Sequence, residues 1–362
     1  MSDPRKVLLV LDNRTGVTNT HRVRDHLSAV VAVGDSLWLG CDEGTSLERL
    51  NKADEQTYSN HQRSSLNRTL ELSDEGGEID IEGLDYSDGY LWLVGSHSLK
   101  RSQPQPDRST KKNLKRLCRL DREGNRYRLA RVPLVQSGSG YSLQSGLNKC
   151  PQRGKVARAA RVDTDKSGSV LYSALASDEH LGRFSSIPGK DNGLDIEGLA
   201  VSGDNVFLGL RGPVLRGWAV ILKLRARTKG KSLRLSPLDR KKQLYIKHFV
   251  DLDGYGVRDL TFHGEDLLIL AGPTMDLQGP VVVYRWPSAL HQEKGRFVWS
   301  SELERTVLAP LEESAGKAEG FTWFDPDKRN ELLVVYDSPD TNRRDGDFGV
   351  RADLFAWPQP RR

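Results

Sequence analysis

Five times along the chain a small polar or acidic residue opens a short apolar run, a polar turn follows, and a second apolar run ends near Gly. Ser28-Ala29-Val30-Val31 leads to Leu37-Trp38-Leu39-Gly40, and Glu82-Gly83-Leu84 to Leu91-Trp92-Leu93-Val94-Gly95. Glu197-Gly198-Leu199 leads to Val206-Phe207-Leu208-Gly209, Asp259-Leu260-Thr261-Phe262 to Leu267-Leu268-Ile269-Leu270, and Glu319-Gly320-Phe321 to Leu332-Leu333-Val334-Val335. The starts lie 54, 115, 62 and 60 residues apart, so the long interval is close to two periods. A period near sixty residues leaves room for about four strands, which suits a propeller blade better than a solenoid coil.

Apolar runs of four to eight residues bounded by Gly, Asp and Pro recur throughout, and long helical periodicity is scarce, so the chain reads as all-β. A uniform repeat over 362 residues favours one closed unit, residues 1–362, over several average domains. Further strands are expected at Leu114–Leu120 and Tyr127–Leu134, at Trp218–Leu224 and Gln243–Asp251, and at Val281–Trp286 and Phe297–Val307. Residues 136–194 are irregular, with a strand at Val156–Val162 and a short helix at Val170–His180. Counting that stretch as a degenerate blade gives a single six-bladed β-propeller; five blades plus an insertion is the other arrangement. The last unit ends at Trp357 a strand short, and Lys6–Asp12 can supply it and close the ring, because an open ring leaves an unpaired edge. Residues 102–112 and 340–347 read as mobile surface loops.

The chain carries 54 Lys+Arg against 49 Asp+Glu, a net +5 that points to no particular partner. The basic stretches Lys100–Arg119 and Arg225–Lys242 lack the interleaved aromatics of a single-strand groove, so nucleic acid is not an expected partner. Cys41, Cys118 and Cys150 have no C-x-x-C spacing and an odd count, against a zinc site or a disulfide framework. The apolar run Val7–Leu11 is too short for a signal or membrane segment. A reducing, cytoplasmic setting with no membrane partner is the expectation.

Alternate strand residues share a face, so Asp80 with Glu82 and Asp195 with Glu197 form two carboxylate pairs. With the repeats in register, Asp80, Glu82, Asp195, Glu197, Asp259 and Glu319 converge on one channel mouth, with His26, Ser28 and Lys317 at equivalent positions. So many carboxylates need neutralising, since like charges in a desolvated channel repel and raise their pKa values. One neutraliser is a divalent cation such as Ca²⁺, a hard ion with six to eight oxygen ligands. Another is internal pairing with Arg211, Arg216, Arg258 or Lys317, which could equally receive a small anionic ligand. A third reading is structural: the acids cap backbone amides and hold blades together, and the glycine after them permits close strand approach. His97, in the loop after its second strand, is a candidate general base, and Arg211 a candidate anion clamp. Asp163–Ser169 imitates half a calcium loop but has Ala174 where the bidentate Glu belongs, and reads as a turn. Gly230-Lys231-Ser232 lacks the upstream glycine of a phosphate loop.

The two Asp-Ile-Glu-Gly-Leu copies at 80–84 and 195–199, with Asn192-Gly193-Leu194 and Leu208-Gly209-Leu210-Arg211-Gly212-Pro213-Val214, resemble the bacterial family DUF3616, a domain of unknown function. The resemblance covers about Val30 to Trp357 and implies a propeller without an assigned reaction. The Asp-x-Glu-Gly-Leu element is more distantly similar to motifs in phytase-like esterase propellers and periplasmic regulated-protein propellers, and it implies by analogy calcium binding and phosphate or other ester cleavage. Two function classes follow. One is a divalent-metal-dependent hydrolase of a phosphate or other ester. The other is a non-enzymatic scaffold whose propeller face binds a protein or small anionic ligand.

Overall fold

A computed structural model of the chain describes residues 4–11, 23–72, 77–138, 140–148, 154, 156–165, 168–238, 242–275, 277, 279–310 and 317–357. Their strands form five antiparallel meanders. Unit one is Leu27–Val33, Ser36–Cys41, Ser46–Lys52 and Thr57–Ser65. Unit two is Ile81–Ser87, Tyr90–Gly95, Leu129–Ser137 and the short Ala160–Arg161. Unit three is Asp195–Ser202, Asn205–Gly212, Trp218–Lys229 and Tyr245–Asp251. Unit four is Gly256–His263, Asp266–Gly272, Val281–Trp286 and Glu304–Ala309. Unit five is Lys317–Trp323, Glu331–Asp337, Gly349–Ala356 and, from the other end of the chain, Arg5–Val10.

The first strand of each unit packs on the first strand of the next, and unit five returns to unit one. That cycle makes the fold propeller-like. Closure by the N-terminal strand, expected from the sequence, is seen in the pairing of Arg5–Val10 with Gly349–Ala356. Arg5–Val10 also pairs in parallel with unit one through Leu8 and Leu9 opposite Thr57 and Tyr58, so the seam is hydrogen-bonded at the rim.

The six-bladed count is not what these residues build. Residues 136–194 make short hairpins, the helix Val170–Ala176 and 3-10 turns. They contribute to unit two Gly140–Leu143, which pairs with the end of Leu129–Ser137, and Ala160–Arg161, its outer strand. The stretch has no continuous apolar run long enough for a second strand pair, so five units plus an insertion is the arrangement formed.

The second strand of each unit is buried on both faces, which is why it reads as an unbroken apolar run. In Tyr90–Gly95, Leu91 and Leu93 enter the core shared with unit one, while Trp92 and Val94 enter the core shared with unit three. In unit four, Leu267 and Ile269 face unit three, and Leu268 and Leu270 face unit five. Replacing one such leucine by Ala typically costs about 2–5 kcal/mol through lost transfer energy and a residual cavity.

Two further expectations are corrected. Leu114–Leu120 is not a strand: Thr110–Cys118 is an α-helix, consistent with its Lys, Arg and Leu content. Phe297–Val307 is broken into Arg296–Val298, a 3-10 turn at Ser300–Glu302, and Glu304–Ala309. Within 340–347, Arg343 is buried, donates to Asp353 at 2.8 Å and stacks 3.7 Å from the Tyr336 ring centroid. Cys150 and residues 166–167 of the calcium-like turn lie outside the described residues. No described helix is long and apolar enough to cross a membrane.

Candidate functional site

Every inner strand carries the same irregularity. Its register with the second strand skips one residue, at Ser28, Glu82, Glu197, Arg258 and Glu319. Such a β-bulge re-aims one side chain out of the ladder. Here it turns five side chains toward a common axis: Ser28, Glu82, Glu197 and Glu319 line the mouth cavity, and Arg258 bridges Glu197 and Glu319. Two residues earlier stand His26, Asp80, Asp195, Gly256 and Lys317. At the matching place on the second strands stand Asp42, Ser96, Arg211, Gly272 and Asp337.

This register corrects one predicted member. Asp259 belongs one residue further along, at the position of Gly83, Gly198 and Gly320, and a one-residue slip places a side chain on the other face. Its buried carboxylate accepts hydrogen bonds from Leu260 N at 2.8 Å and Phe321 N at 3.0 Å, tying unit four to unit five. Asp85 does the same between units two and three, accepting from Val201 N at 2.5 Å. Burial lifts Asp85 to about 7 and Asp259 well above the usual carboxylate range. The glycine position demands close approach: a Cβ on Gly83 would stand 2.7 Å from Leu199 Cβ and 2.9 Å from the Glu197 carbonyl oxygen.

Three guanidiniums neutralise most of the remaining acids. Arg126 pairs with Asp80 and reaches Ser98 Oγ at 3.0 Å. Arg211 pairs with Asp195 and, at 2.8 Å, with Glu197. Arg258 contacts Glu197 at 3.3 Å and Glu319, and donates to Pro273 O at 2.7 Å. All three arginines are buried. Burial pushes Glu197 up to about 8, with Arg211 and Arg258 pulling the other way, and Asp80 up to about 6 against Arg126.

Two features stay outside that network. Glu82 makes no hydrogen bond or ion pair with a described residue; burial, then the fields of Asp80, Glu197, Asp195 and Glu319, raise it well above its ordinary value. At the rim, His26, Asp42 and Asp337 each offer a ligand atom, and these lie within 4.8 Å of one another. Asp42 Oδ1 is shielded from solvent, stands 3.4 Å from His26 Nδ1 and accepts no other hydrogen bond. Asp42 raises His26 to about 8, and burial, with Glu319 and Asp42 nearby, raises Asp337 to about 6. One imidazole and two carboxylates fit a first-row divalent ion such as Zn²⁺ or Mn²⁺ better than the all-oxygen shell of Ca²⁺. The whole assembly opens into a cavity of about 880 Å³, within the range of small-molecule sites.

The other predicted residues fall as follows. Lys317 lines the cavity. Arg216 is exposed at the tip of the turn between Gly212 and Trp218, at positive φ, and is not part of the lining. His97 is buried behind the cavity, with Nδ1 2.8 Å from Gly95 O, its ring edge-on to Tyr127, and burial lowering it to about 4. Asp42, Asp337, Arg126 and Lys190 were not singled out in the sequence. Asp42 and Asp337 could have been: each lies two residues past the residue opposite the repeat's glycine position, where unit three carries Arg211.

No curated protein matches the chain. Among solved structures it is similar to a virginiamycin B lyase from Staphylococcus aureus, with 9% identity, 98% of this chain and 99% of that one covered, and a TM-score of 0.37. It is similar at the same level to glutaminyl cyclase of Myxococcus xanthus, with 10% identity, 98% and 100% coverage and a TM-score of 0.38. A third is the PQQ-bound aldose sugar dehydrogenase of Streptomyces coelicolor, with 10% identity, 98% and 99% coverage and a TM-score of 0.37. Likeness this low leaves the fold resting on the strand pairing itself. The family described as "Protein of unknown function (DUF3616)" matches residues 26–353, and the chain belongs to it.

Proposed function

We propose that this protein holds a divalent cation at His26, Asp42 and Asp337 and hydrolyses a phosphate or other ester in the mouth cavity beneath it. The observation that carries the reading is the convergence of three ligand atoms within 4.8 Å at the rim of the same cavity that Glu82 lines. When bound, such an ion polarises a phosphoryl or carbonyl oxygen and lowers the pKa of a coordinated water. Glu82, unpaired among the described residues and with its pKa raised by burial and the neighbouring carboxylates, is suited to hold a proton and pass it on. Lys190 and Lys317 line the cavity too and supply positive charge for an anionic substrate group. Arg126, Arg211 and Arg258 hold the carboxylates around Glu82 in place.

The test is a panel of phosphomonoesters, phosphodiesters and carboxylic esters assayed with Zn²⁺, Mn²⁺ or Ca²⁺. Turnover that is abolished together with metal binding in Asp337→Ala, and abolished with metal binding intact in Glu82→Gln, supports the reading. Metal uptake without turnover across the panel overturns the hydrolytic part. A non-enzymatic binding role is the second reading, favoured by the continuous Asp195–Arg211–Glu197–Arg258–Glu319 ion-pair chain, whose pairing resembles a rigid scaffold.

A further inference from the structure

Thr110–Cys118 stands apart from the propeller. It is carried on a two-residue stem, Lys100–Arg101 paired with Leu120–Asp121, and none of its residues is buried. The stem is fixed to the body by Lys100 to Glu78 at 2.9 Å and Arg101 to Asp191 at 2.7 Å. The loop beneath it is held by Asn113, which exchanges two hydrogen bonds of 2.9 Å with the Gln105 backbone, and by Arg116, whose Nε donates to Gln103 O at 2.5 Å. The helix is therefore presented in a fixed pose with both faces in solvent.

Its two faces differ. At helical spacing Leu114, Leu117 and Cys118 share one side, Lys111 stands at the edge of that side, three residues before Leu114 and seven before Cys118, and Lys112 and Lys115 turn away from it. Leu114 is 60% exposed and Leu117 41%, and Leu120 just past the helix is 42% exposed. Lys111, Lys112 and Lys115 have no ion-pair partner among the described residues, whereas Arg119 is paired with Asp121 at 2.9 Å. Exposed leucines and unpaired lysines on one short helix are the two components of interfacial binding.

We propose that this helix docks on an anionic lipid surface, the leucines entering the boundary between headgroups and acyl chains and the lysines meeting the headgroups. Of the partners a cationic helix could serve, the bilayer fits best. A protein groove reads anchors over two or more turns, at i, i+3, i+4 and i+7, and this helix offers only one such step. A nucleic acid would use the lysines and leave the leucines in water. That no described helix is long and apolar enough to cross a membrane is no obstacle, because a peripheral helix does not span. Arg116 and Leu117 also line the mouth cavity, so docking holds that opening at the lipid surface. The inference does not depend on the metal or on hydrolysis.

The experiment is co-sedimentation of the full chain with vesicles of phosphatidylcholine alone and of phosphatidylcholine with one-third phosphatidylglycerol, at low and at physiological salt. The expected result is partition onto the anionic vesicles only, weakened by salt. Lys111→Gln, Lys112→Gln and Lys115→Gln together should weaken it about a hundredfold at low salt, from roughly fivefold per cation. Leu114→Asn with Leu117→Asn should weaken it at least about tenfold, since both leucines would otherwise leave water. Both variants alter exposed side chains, and unchanged melting temperatures would show that the fold is intact. No partition of the natural chain overturns the proposal. So does binding that the leucine variant retains in full, which would mark the helix as a polyanion contact, and equal binding to neutral vesicles.

Discussion

Arg258→Met is the most informative single change to the buried network. Arg258 is 3% exposed and contacts Glu319, while also touching Glu197 at 3.3 Å and donating to Pro273 O at 2.7 Å. Methionine fills much of the space but leaves Glu319 charged, buried and unpaired, and removing one partner of a buried pair costs about 3–5 kcal/mol. An unfolding entropy of about 2.1 cal/mol/K per residue gives about 0.76 kcal/mol/K over the 362 residues. A loss of about 4 kcal/mol therefore lowers Tm by about 5 °C at pH 8, read by calorimetry. The deficit has a pH signature. A buried carboxylate whose folded pKa is raised destabilises above that pKa and is relieved as it takes up a proton. Glu197 already lies at about 8 with Arg258 present and loses one of the guanidiniums that hold it down, so its share of the gap between variant and natural protein should narrow as pH falls toward about 8 from above. Adding Glu319→Gln should restore most of the loss, because the orphaned charge is gone. A Tm change below about 1 °C, or a deficit that neither narrows with acid nor responds to Glu319→Gln, would refute the assignment of Arg258 as the keystone cation.

Glu82→Gln should raise Tm increasingly as pH rises while leaving metal uptake unchanged, because burial disfavours the charged carboxylate and no described residue pairs with it; a destabilised variant in thermal melts would reveal a hidden partner. Gly83→Ala should cost about 1–3 kcal/mol in denaturant titrations, since its Cβ would stand 2.7 Å from Leu199 Cβ and 2.9 Å from the Glu197 carbonyl across the unit boundary. Asp259→Asn should cost about 1–3 kcal/mol at pH 8, because an amide cannot accept from both Leu260 N and Phe321 N. Metal affinity should rise about tenfold per pH unit up to about 8 and then flatten, as His26 must lose its proton to coordinate; a titration flat between pH 6 and 8 would place the ion elsewhere.

Much of the architecture was legible because it follows from burial. Strands such as Leu91-Trp92-Leu93-Val94 lie between two units, and nothing but an unbroken apolar run fits there. The missing strand at the C-terminal end predicted ring closure, and Arg5–Val10 provides it. The unit count failed where periodicity fails: residues 136–194 supply only strands of two to four residues, and pairings of that length leave no pattern in a sequence. The inner ring was legible in type and slipped in one register. Arg258 and Asp259 are adjacent, and only the bulge shared by all five inner strands shows that Arg258, not Asp259, occupies the position of Glu82 and Glu197. The rim was missed because Asp42 and Asp337 stand at the end of the second strand rather than open the first. Arg126 was missed because it reaches Asp80 from a 3-10 turn outside the repeat.

The most direct test of the metal assignment is anomalous diffraction from crystals of the protein grown with Mn²⁺ or Zn²⁺ at pH 8. One peak is expected within coordination distance of His26 Nδ1, a carboxylate oxygen of Asp42 and one of Asp337, and it should disappear in Asp337→Ala. A peak instead among Asp80, Asp195, Glu197 and Glu319, or none at the channel mouth, would contradict the account.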